Sequence, residues 1–309
     1  MRKFAVVTDS ASDINHETAE RLGIRVVPLH IMVDGRDYRD GVDIQIGEYL
    51  DLLGEQKELP RTSQPSPAEF VEVYRQLADE GYTDILSIHI ARELSATIET
   101  PRFLARQMPD GMRLEVIDSY SATVGEGAMV LEAAAIAEAG GTIDEAIERV
   151  LAIRDTAKIY FIPDNLGNLV KGGRATRAQH LATSILNVKV VIEVGEGGRI
   201  EVAHKAKGLR NGIGFMVRQM ARRSQEQGAL TYYELHTRAD RALAMLEKPL
   251  ETNELDGTCA GVATIGPCIA THVGDGAVGI LCYPSALHSP LLDGFQMFLD
   301  APSSKSASA

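Results

Sequence analysis

The sequence predicts an N-terminal α/β domain followed by a C-terminal α+β domain. As far as residue 155, short β-rich runs alternate with helical patterns, which is typical of a parallel sheet covered by helices on both faces. From Lys158 onwards, apolar β-like runs follow one another with one helix predicted around 209–226, which favours a mixed sheet. The length of 309 residues suits two ordinary domains. We therefore predict domains at 1–155 and 156–300, and a disordered polar tail at 301–309.

The first half of the N-terminal domain begins with a strand, a helix and an extended segment. The strand is predicted at 3–7, and the helix that follows it is closed by Gly23. The extended segment turns at the Asp-Gly pair 34–35, a dipeptide that favours tight hairpin turns. Residues 66–69 form a capping box with proline at the first helical position. Apolar residues at helical spacing then predict a buried stripe: Phe70, Val73, Tyr74 and Leu77.

Two further strands complete the predicted parallel sheet. They lie at 83–90 and 113–119, and each is followed by a helix, the first beginning near Ser95 and the second being the alanine-rich stretch 126–139. A second capping box at 142–145 starts another amphipathic helix. The β-like runs of the second domain are "KIYFI", "VKVVIEV", "IEVAHKA" and "TYYELHT".

Charge and composition argue against several classes of protein. The formal charge of −12 opposes binding to nucleic acid, whose affinity depends on neutralising phosphates. Aromatic residues make up only 5% of the chain, which argues against a base-stacking platform. The three cysteines form no C-x-x-C pair, so no zinc site is suggested. No secretory signal or membrane-spanning run is evident, and a cytoplasmic location is expected.

Hydroxyl and acidic side chains follow the predicted strands. Ligands of open parallel sheets bind at the carboxyl ends of the strands, and hydroxyls near helix N-termini suit one small anion. Each of these residues is individually more often an ordinary N-cap, so only their convergence would favour an anion site. The residues are Thr8, Asp9, Ser10, Thr62, Ser63, Ser95, Thr97, Asp118, Ser119 and Ser121.

Two segments of the second domain also carry candidate anion ligands. In "NLVKGGRATR" (168–177), paired glycines allow a positive φ or a close approach to a ligand, and Arg174 could hold a carboxylate or phosphate. The alternative is a turn with a solvated basic rim. In "IATHVGDGAVG", His272 is predicted between an apolar strand and a glycine turn, where it could donate to an anion. The alternative there is a packed histidine with satisfied hydrogen bonds.

Seven segments, in order over nearly all of residues 1–285, resemble the DegV family. They are "VTDSASDI", "VPLHIMVDGRDYRDG", "RTSQPSPAEF", "LSATIET", "VIDSYSATVGEG", "LVKGGRATR" and "THVGDGAVGI". The resemblance implies that a long-chain fatty acid lies between the two domains, and that a bacterial fatty acid kinase uses the chain as its acyl-carrying subunit. A separate ATP-binding kinase subunit would then form the acyl phosphate, and this chain would need neither catalytic residues nor a cofactor.

The same resemblance implies four ligand-binding residues. Thr62, in the T-S-Q-P motif, and Ser95, in the L-S-G-T motif, would hydrogen-bond the fatty-acid carboxylate. Arg174 of K-G-G-R and His272 of T-H-x-G would serve the head-group and its phosphorylated product. The sequence departs from the family pattern at Ala96, at Ala175-Thr176 and in "HIARE" before the L-S-G-T motif, which bears on the head-group geometry and on the acyl chain that is selected.

Two other interpretations stay open. One is a self-sufficient small-molecule enzyme, kinase-like or transferase-like, that uses Asp9, Ser95, Arg174 and His272 in the cleft between the domains. The other concerns "MVRQMARR" (216–223), whose arginines could make transient contact with a membrane or a partner, although such residues more often form a solvated helix face.

Overall fold

The computed structural model describes residues 3–175, 188–252 and 255–299, and every structural statement below refers to these. The tail predicted at 301–309 and the departure at Thr176 lie outside them. The strands are β1 Ala5–Asp9, β2 Ile24–Val27, β3 His30–Val33, β4 Arg36–Arg39, β5 Arg61–Ser63, β6 Asp84–His89, β7 Arg113–Asp118, β8 Lys158–Ile162, β9 Val188–Val194, β10 Ile200–Lys207, β11 Leu230–His236, β12 Gly257–Thr264 and β13 Val278–Pro284. The helices are α1 His16–Leu22, α2 Ile46–Glu55, α3 Pro67–Asp79, α4 Glu99–Ala105, α5 Val124–Glu138, α6 Ile143–Thr156, α7 Leu166–Lys171, α8 Leu209–Gln227, α9 Asp240–Thr252 and α10 Pro267–Val273.

The first part of the chain is built on a parallel sheet with the strand order β2-β1-β6-β7. Apolar side chains alternate between its two faces, as a sheet buried on both sides requires. Val6 and Leu86 pack with α5 on one face, whereas Val7 and Ile85 pack with α3 on the other. The predicted α/β sheet with helices on both faces is therefore confirmed.

Local signals set several of the boundaries in this part. Asp34 and Gly35 have φ values of 50° and 80°, as a tight turn between β3 and β4 requires. The Ser66 side chain accepts the backbone N–H of Glu69, and the Glu69 carboxylate accepts the backbone N–H of Ser66, so the predicted capping box is present. Strand β5 pairs with β3, which gives a separate sheet of order β4-β3-β5.

The second part is a six-stranded mixed sheet with the order β10-β9-β8-β13-β11-β12. Only the β11–β12 pair is parallel among the described pairings, and the others are antiparallel. Helices α8 and α9 cover one face. The predicted α+β part with a mixed sheet is confirmed.

Helix α5 lies between the two parts and is buried on all sides. Its alanine-rich sequence has no polar face, which is the pattern of a helix enclosed within a core. Leu131 of this helix belongs to one continuous apolar cluster that reaches Val6 of the parallel sheet and Leu281 of the mixed sheet. One core therefore runs through both parts of the chain.

The end of the described chain returns to its beginning. Asn15 donates its backbone N–H to the carbonyl of Met297, and Leu299 donates to the carbonyl of Asp13. Phe298 forms a β-bridge with Ile14 and is almost fully buried. Among the described residues, no helix combines the length and apolar character that crossing a membrane requires, and no cluster of three potential metal ligands occurs.

Candidate functional site

A cavity of about 330 Å³ lies between the two parts of the chain. This volume falls within the range of small-molecule pockets. Its wall is mostly apolar, and both parts contribute to it. Representative apolar lining residues are Leu29, Ile90 and Leu94 from the first part and Phe161, Leu235 and Ile269 from the second. Four polar residues that the sequence singled out also line it, namely Thr62, Ser95, Arg174 and His272.

Thr62 and His272 meet across the cavity wall. Thr62 lies on β5, where pairing with β3 fixes it opposite Ile31. His272 lies in the last turn of α10, and its Nε2 is 3.0 Å from Thr62 Oγ1. The prediction that His272 follows an apolar strand is wrong, because the segment is helical. Proline in the first turn and Gly274 after the last turn are the helix signals that the sequence analysis missed.

Helix α10 is held in place by side chains from the first part. Asp13 Oδ1 accepts the N–H of Gly266 at 3.0 Å, and Asp40 Oδ1 accepts the N–H of Cys268 at 3.4 Å. Burial raises the pKa of Asp13 well above its ordinary range and raises that of Asp40 to about 7. These two acids position α10 from its N-terminal end, and sequence reasoning missed both.

The imidazole of His272 is neutral at pH 7. Burial, with a smaller contribution from the charge of Arg174, lowers the pKa of His272 to about 4. A neutral ring has one donor and one acceptor nitrogen. His272 Nε2 is hydrogen-bonded to Thr62, and His272 Nδ1 is buried without a hydrogen-bond partner among the described residues. If Nε2 carries the proton, the Thr62 hydroxyl keeps its own hydrogen for an anion in the cavity.

The two glycines before Arg174 serve different purposes. Gly173 has a φ of 76°, the left-handed conformation that glycine adopts without strain. Gly172 has an ordinary φ of −72°, but a Cβ atom there would lie 2.5 Å from His272 Nδ1. The first glycine therefore admits the imidazole, and the second turns the chain after α7.

Arg174 is half-buried at the polar end of the cavity. Its Nε donates to the carbonyl of Leu94 at 3.0 Å, and its Nη1 donates to the carbonyl of Gly172 at 2.6 Å. These bonds hold the guanidinium against the loop that carries Ser95. A glycine turn therefore delivers an arginine to the cavity wall, and its binding of an anion stays a prediction.

Ser95 lines the cavity and also caps a short 3₁₀ turn at 96–98. Its hydroxyl lies 2.8 Å from Thr97 Oγ1 and accepts the N–H of Thr97 at 3.3 Å. Ala96, a departure from the family pattern, is an exposed part of the cavity lining. Ala175, another departure, is buried in the core and is not among the lining residues.

Most of the other predicted hydroxyl and acidic residues lie outside the cavity wall. Asp9 is fully buried and accepts hydrogen bonds from the backbone N–H groups of Ala11 and Ile90, at 3.0 and 3.1 Å. His89, in the "HIARE" departure, lies between Asp9 and Ser87 at 3.0 and 2.8 Å. Of the ten hydroxyl and acidic residues named from the sequence, only Thr62, Ser63 and Ser95 line the cavity within the described chain.

Sequence reasoning also missed a polar lining residue. Thr123 precedes α5 with a φ of 53°, which is strained for a β-branched residue. Its Oγ1 is buried and has no hydrogen-bond partner among the residues that the structure describes. Thr123 lies in the segment "SYSATVGEG", and it was missed because nothing in that segment signals backbone strain.

Solved structures and sequence relatives resemble this chain over nearly its whole length. A Thermus thermophilus structure, described as fatty acid binding of a DegV family protein, superposes with a TM-score of 0.84 at 32% identity, covering 92% of this chain and 100% of that one. A Streptococcus agalactiae structure, described as a fatty acid binding DegV family protein, has a TM-score of 0.83 at 26% identity, covering 92% and 99%.

The sequence relatives are named in the same way. A DegV domain-containing protein of Caldanaerobacter subterraneus is 35% identical over 280 residues, which are 91% of this chain and 98% of that protein. A family model described as "Uncharacterised protein, DegV family" matches residues 3–285. This chain belongs to the DegV family.

Proposed function

We propose that this protein binds a long-chain fatty acid in the cavity between its two parts and presents the carboxylate to a separate ATP-binding kinase subunit, which converts it to an acyl phosphate. The observation that carries the proposal is a mostly apolar cavity with Thr62, Ser95, Arg174 and His272 together in its wall. The Thermus thermophilus and Streptococcus agalactiae relatives, described as binding fatty acids, support the same ligand class. We also propose a cytoplasmic location.

Burial of the acyl chain supplies the affinity. Each methylene that leaves water contributes about 0.8 kcal/mol, so a chain of roughly 14–16 carbons gains on the order of 10 kcal/mol before ordering and association costs are subtracted. Lining residues such as Phe161, Leu235 and Ile269 provide the apolar surface. This term depends on chain length and does not depend on the head-group.

The head-group needs polar partners, because an unpaired carboxylate is costly to remove from water. Thr62 and Ser95 are half-buried and would donate hydroxyl hydrogens to it. Ser63 and Gln64 line the same end and are exposed, so this end of the cavity meets solvent. An oxygen of the carboxylate held there would be accessible to a kinase.

Arg174 suits the product better than the substrate, and His272 acts on the head-group through Thr62. Phosphorylation adds charged oxygens, for which a guanidinium is a strong bidentate donor. Arg174 already donates from Nε and Nη1 to the carbonyls of Leu94 and Gly172, and these bonds hold its guanidinium in position at the cavity wall. Neutral His272 would donate its single N–H from Nε2 to Thr62 Oγ1, which leaves the Thr62 hydroxyl hydrogen for the head-group and adds no buried positive charge.

The direct test is to extract the purified protein with organic solvent and to identify the released molecules by mass spectrometry. A co-purified fatty acid is the expected result. A polar metabolite would instead indicate a small-molecule enzyme and would refute the proposal. That rival is weakened by Asp9, which is fully buried and bonded internally rather than exposed to the cavity.

A second assay separates carrier from catalyst. The pure protein is incubated with oleate and ATP, and we expect no acyl phosphate until a kinase subunit is added. Formation of acyl phosphate by this protein alone would contradict the carrier role. The Arg174→Ala variant should retain fatty-acid binding better than product formation, and equal losses in both assays would refute the role given to Arg174.

A further inference from the structure

A second cavity adjoins the first and shares part of its wall. It has a volume of about 460 Å³ and lies between the loop after β7, the end of α6 and the turn after β9. Ile159 and Val194 line both cavities within the described chain. The side chains of Ile159 and Val194 therefore separate the first cavity from the second.

The strand register places this shared wall away from His272. Strand β8 runs from Lys158 to Ile162, and just beyond its end Asp164 donates to the carbonyl of Val273 at the end of α10. Ile159 lies near the opposite end of the strand, three residues from Ile162 and therefore about 10 Å away at roughly 3.3 Å per residue. Tyr160 pairs with Glu193, so the next residue of β9, Val194, lies beside Ile159.

Ile159 has little freedom to move aside. It is only 5% exposed, and the first turn of α5 lies directly against it. A Cβ atom at Gly125 would lie 2.6 Å from Ile159 Cδ1 and 2.0 Å from Ser121 Oγ. The glycine thus makes room for the isoleucine, and the fit fixes the position of its side chain.

The second cavity is more polar than the first. Serines and charged residues make up much of the wall of the second cavity, beside apolar residues such as Met129 and Leu281; the polar residues include Ser119, Ser121, Arg154 and Glu196. Lys158 also lines it and forms an ion pair with Glu193 at 3.0 Å. An apolar chain end would gain less there than in the first cavity, because it would displace water from polar groups without replacing their hydrogen bonds.

We propose that Ile159 and Val194 form the end wall of the acyl site and set the longest chain that the protein accepts. This inference rests on the proposed function and adds a chain-length limit to it. The carboxylate would lie at the Thr62 end, and the terminal methyl group would stop at Ile159.

The test is to measure affinities for a series of saturated fatty acids of roughly 14 to 22 carbons with the parent protein and with Ile159→Ala. The substitution removes three carbon atoms, so the preferred chain should lengthen by about two to three carbons, with about fourfold gained for each newly buried methylene. Val194→Ala is a second variant at a half-buried position, and it should shift the preference in the same direction.

Ile162→Ala is the matched control. Ile162 is equally buried on the same strand but belongs to the cluster on the opposite face, beneath α8. The control should lose comparable stability and keep the parent's chain-length profile. The inference is overturned if both wall variants keep the parent's profile, or if the control shifts it equally. If the parent binds no fatty acid of any length, the proposed function itself fails.

Discussion

Gly172 offers a sensitive test of the site, because one added methyl group should displace His272. The residue has a φ of −72°, so alanine is compatible with the backbone. Its Cβ atom would lie 2.5 Å from His272 Nδ1, whereas ordinary contact begins near 3.4 Å. The imidazole must therefore move by about 0.9 Å, which disturbs the geometry of its 3.0 Å hydrogen bond to Thr62.

The expected cost of Gly172→Ala has two components. Overpacking a buried site typically costs about 1–3 kcal/mol of folding free energy. Displacing His272 also moves the Thr62 hydroxyl away from the position in which it would donate to the carboxylate, and losing a hydrogen bond to a charged group costs about 1.5–3 kcal/mol, or about 10- to 150-fold in fatty-acid affinity. Urea unfolding measures the first quantity, and titration with a fatty acid measures the second.

Gly54→Ala is the control for this experiment. Gly54 lies within α2, and a Cβ atom there would meet nothing within 4 Å. Alanine at such a helix position should raise stability by about 0.5–1 kcal/mol and leave fatty-acid affinity unchanged. If Gly172→Ala binds the ligand as tightly as the parent, and the pKa of His272 is also unchanged, the role given to this contact is wrong.

Three further predictions concern the same region. The pKa of His272, about 4 without ligand, should rise when a fatty-acid carboxylate binds beside it, and NMR titration of the imidazole with and without ligand checks this; no change would place the carboxylate elsewhere. Thr62→Val removes the hydroxyl but keeps the branched shape, so it should weaken binding of a fatty acid by about tenfold and leave binding of the corresponding fatty alcohol less affected, as competition assays can show; equal losses would argue against carboxylate recognition. Asp40 has a folded pKa of about 7, raised mainly by burial, so the unfolded chain releases this proton first and stability should fall as pH rises from about 4 to 7. Asp40→Asn should reduce that slope in pH-dependent urea unfolding, and an unchanged slope would contradict the assigned titration.

The sequence predicted those features whose causes are local. The capping box at 66–69 and the Asp-Gly turn at 34–35 depend on a few neighbouring residues, and both are present. The helix α10 was missed because seven residues are too few to show a helical period, although its flanking proline and glycine marked it. The strand assignment around His272 failed for that reason.

Features that depend on long-range contacts could not be predicted in this way. Asp13 and Asp40 bond to α10 across more than two hundred residues of sequence, so nothing near either residue indicates that it is buried. The role of Gly172 likewise depends on His272, which is one hundred positions away. Motif resemblance named four cavity residues, but the contacts that position them had to come from the structure.

The contacts between residues 13–15 and 297–299 also bear on how the chain folds. Asn15 bonds to Met297 and Leu299 bonds to Asp13, so each hydrogen bond joins residues more than 280 positions apart. Pairing of Ile14 with Phe298 closes a loop of the same length, and the entropy lost on closing a loop grows with its length. Contacts this distant in sequence slow folding, so we expect this pairing to form after the more local contacts of each part.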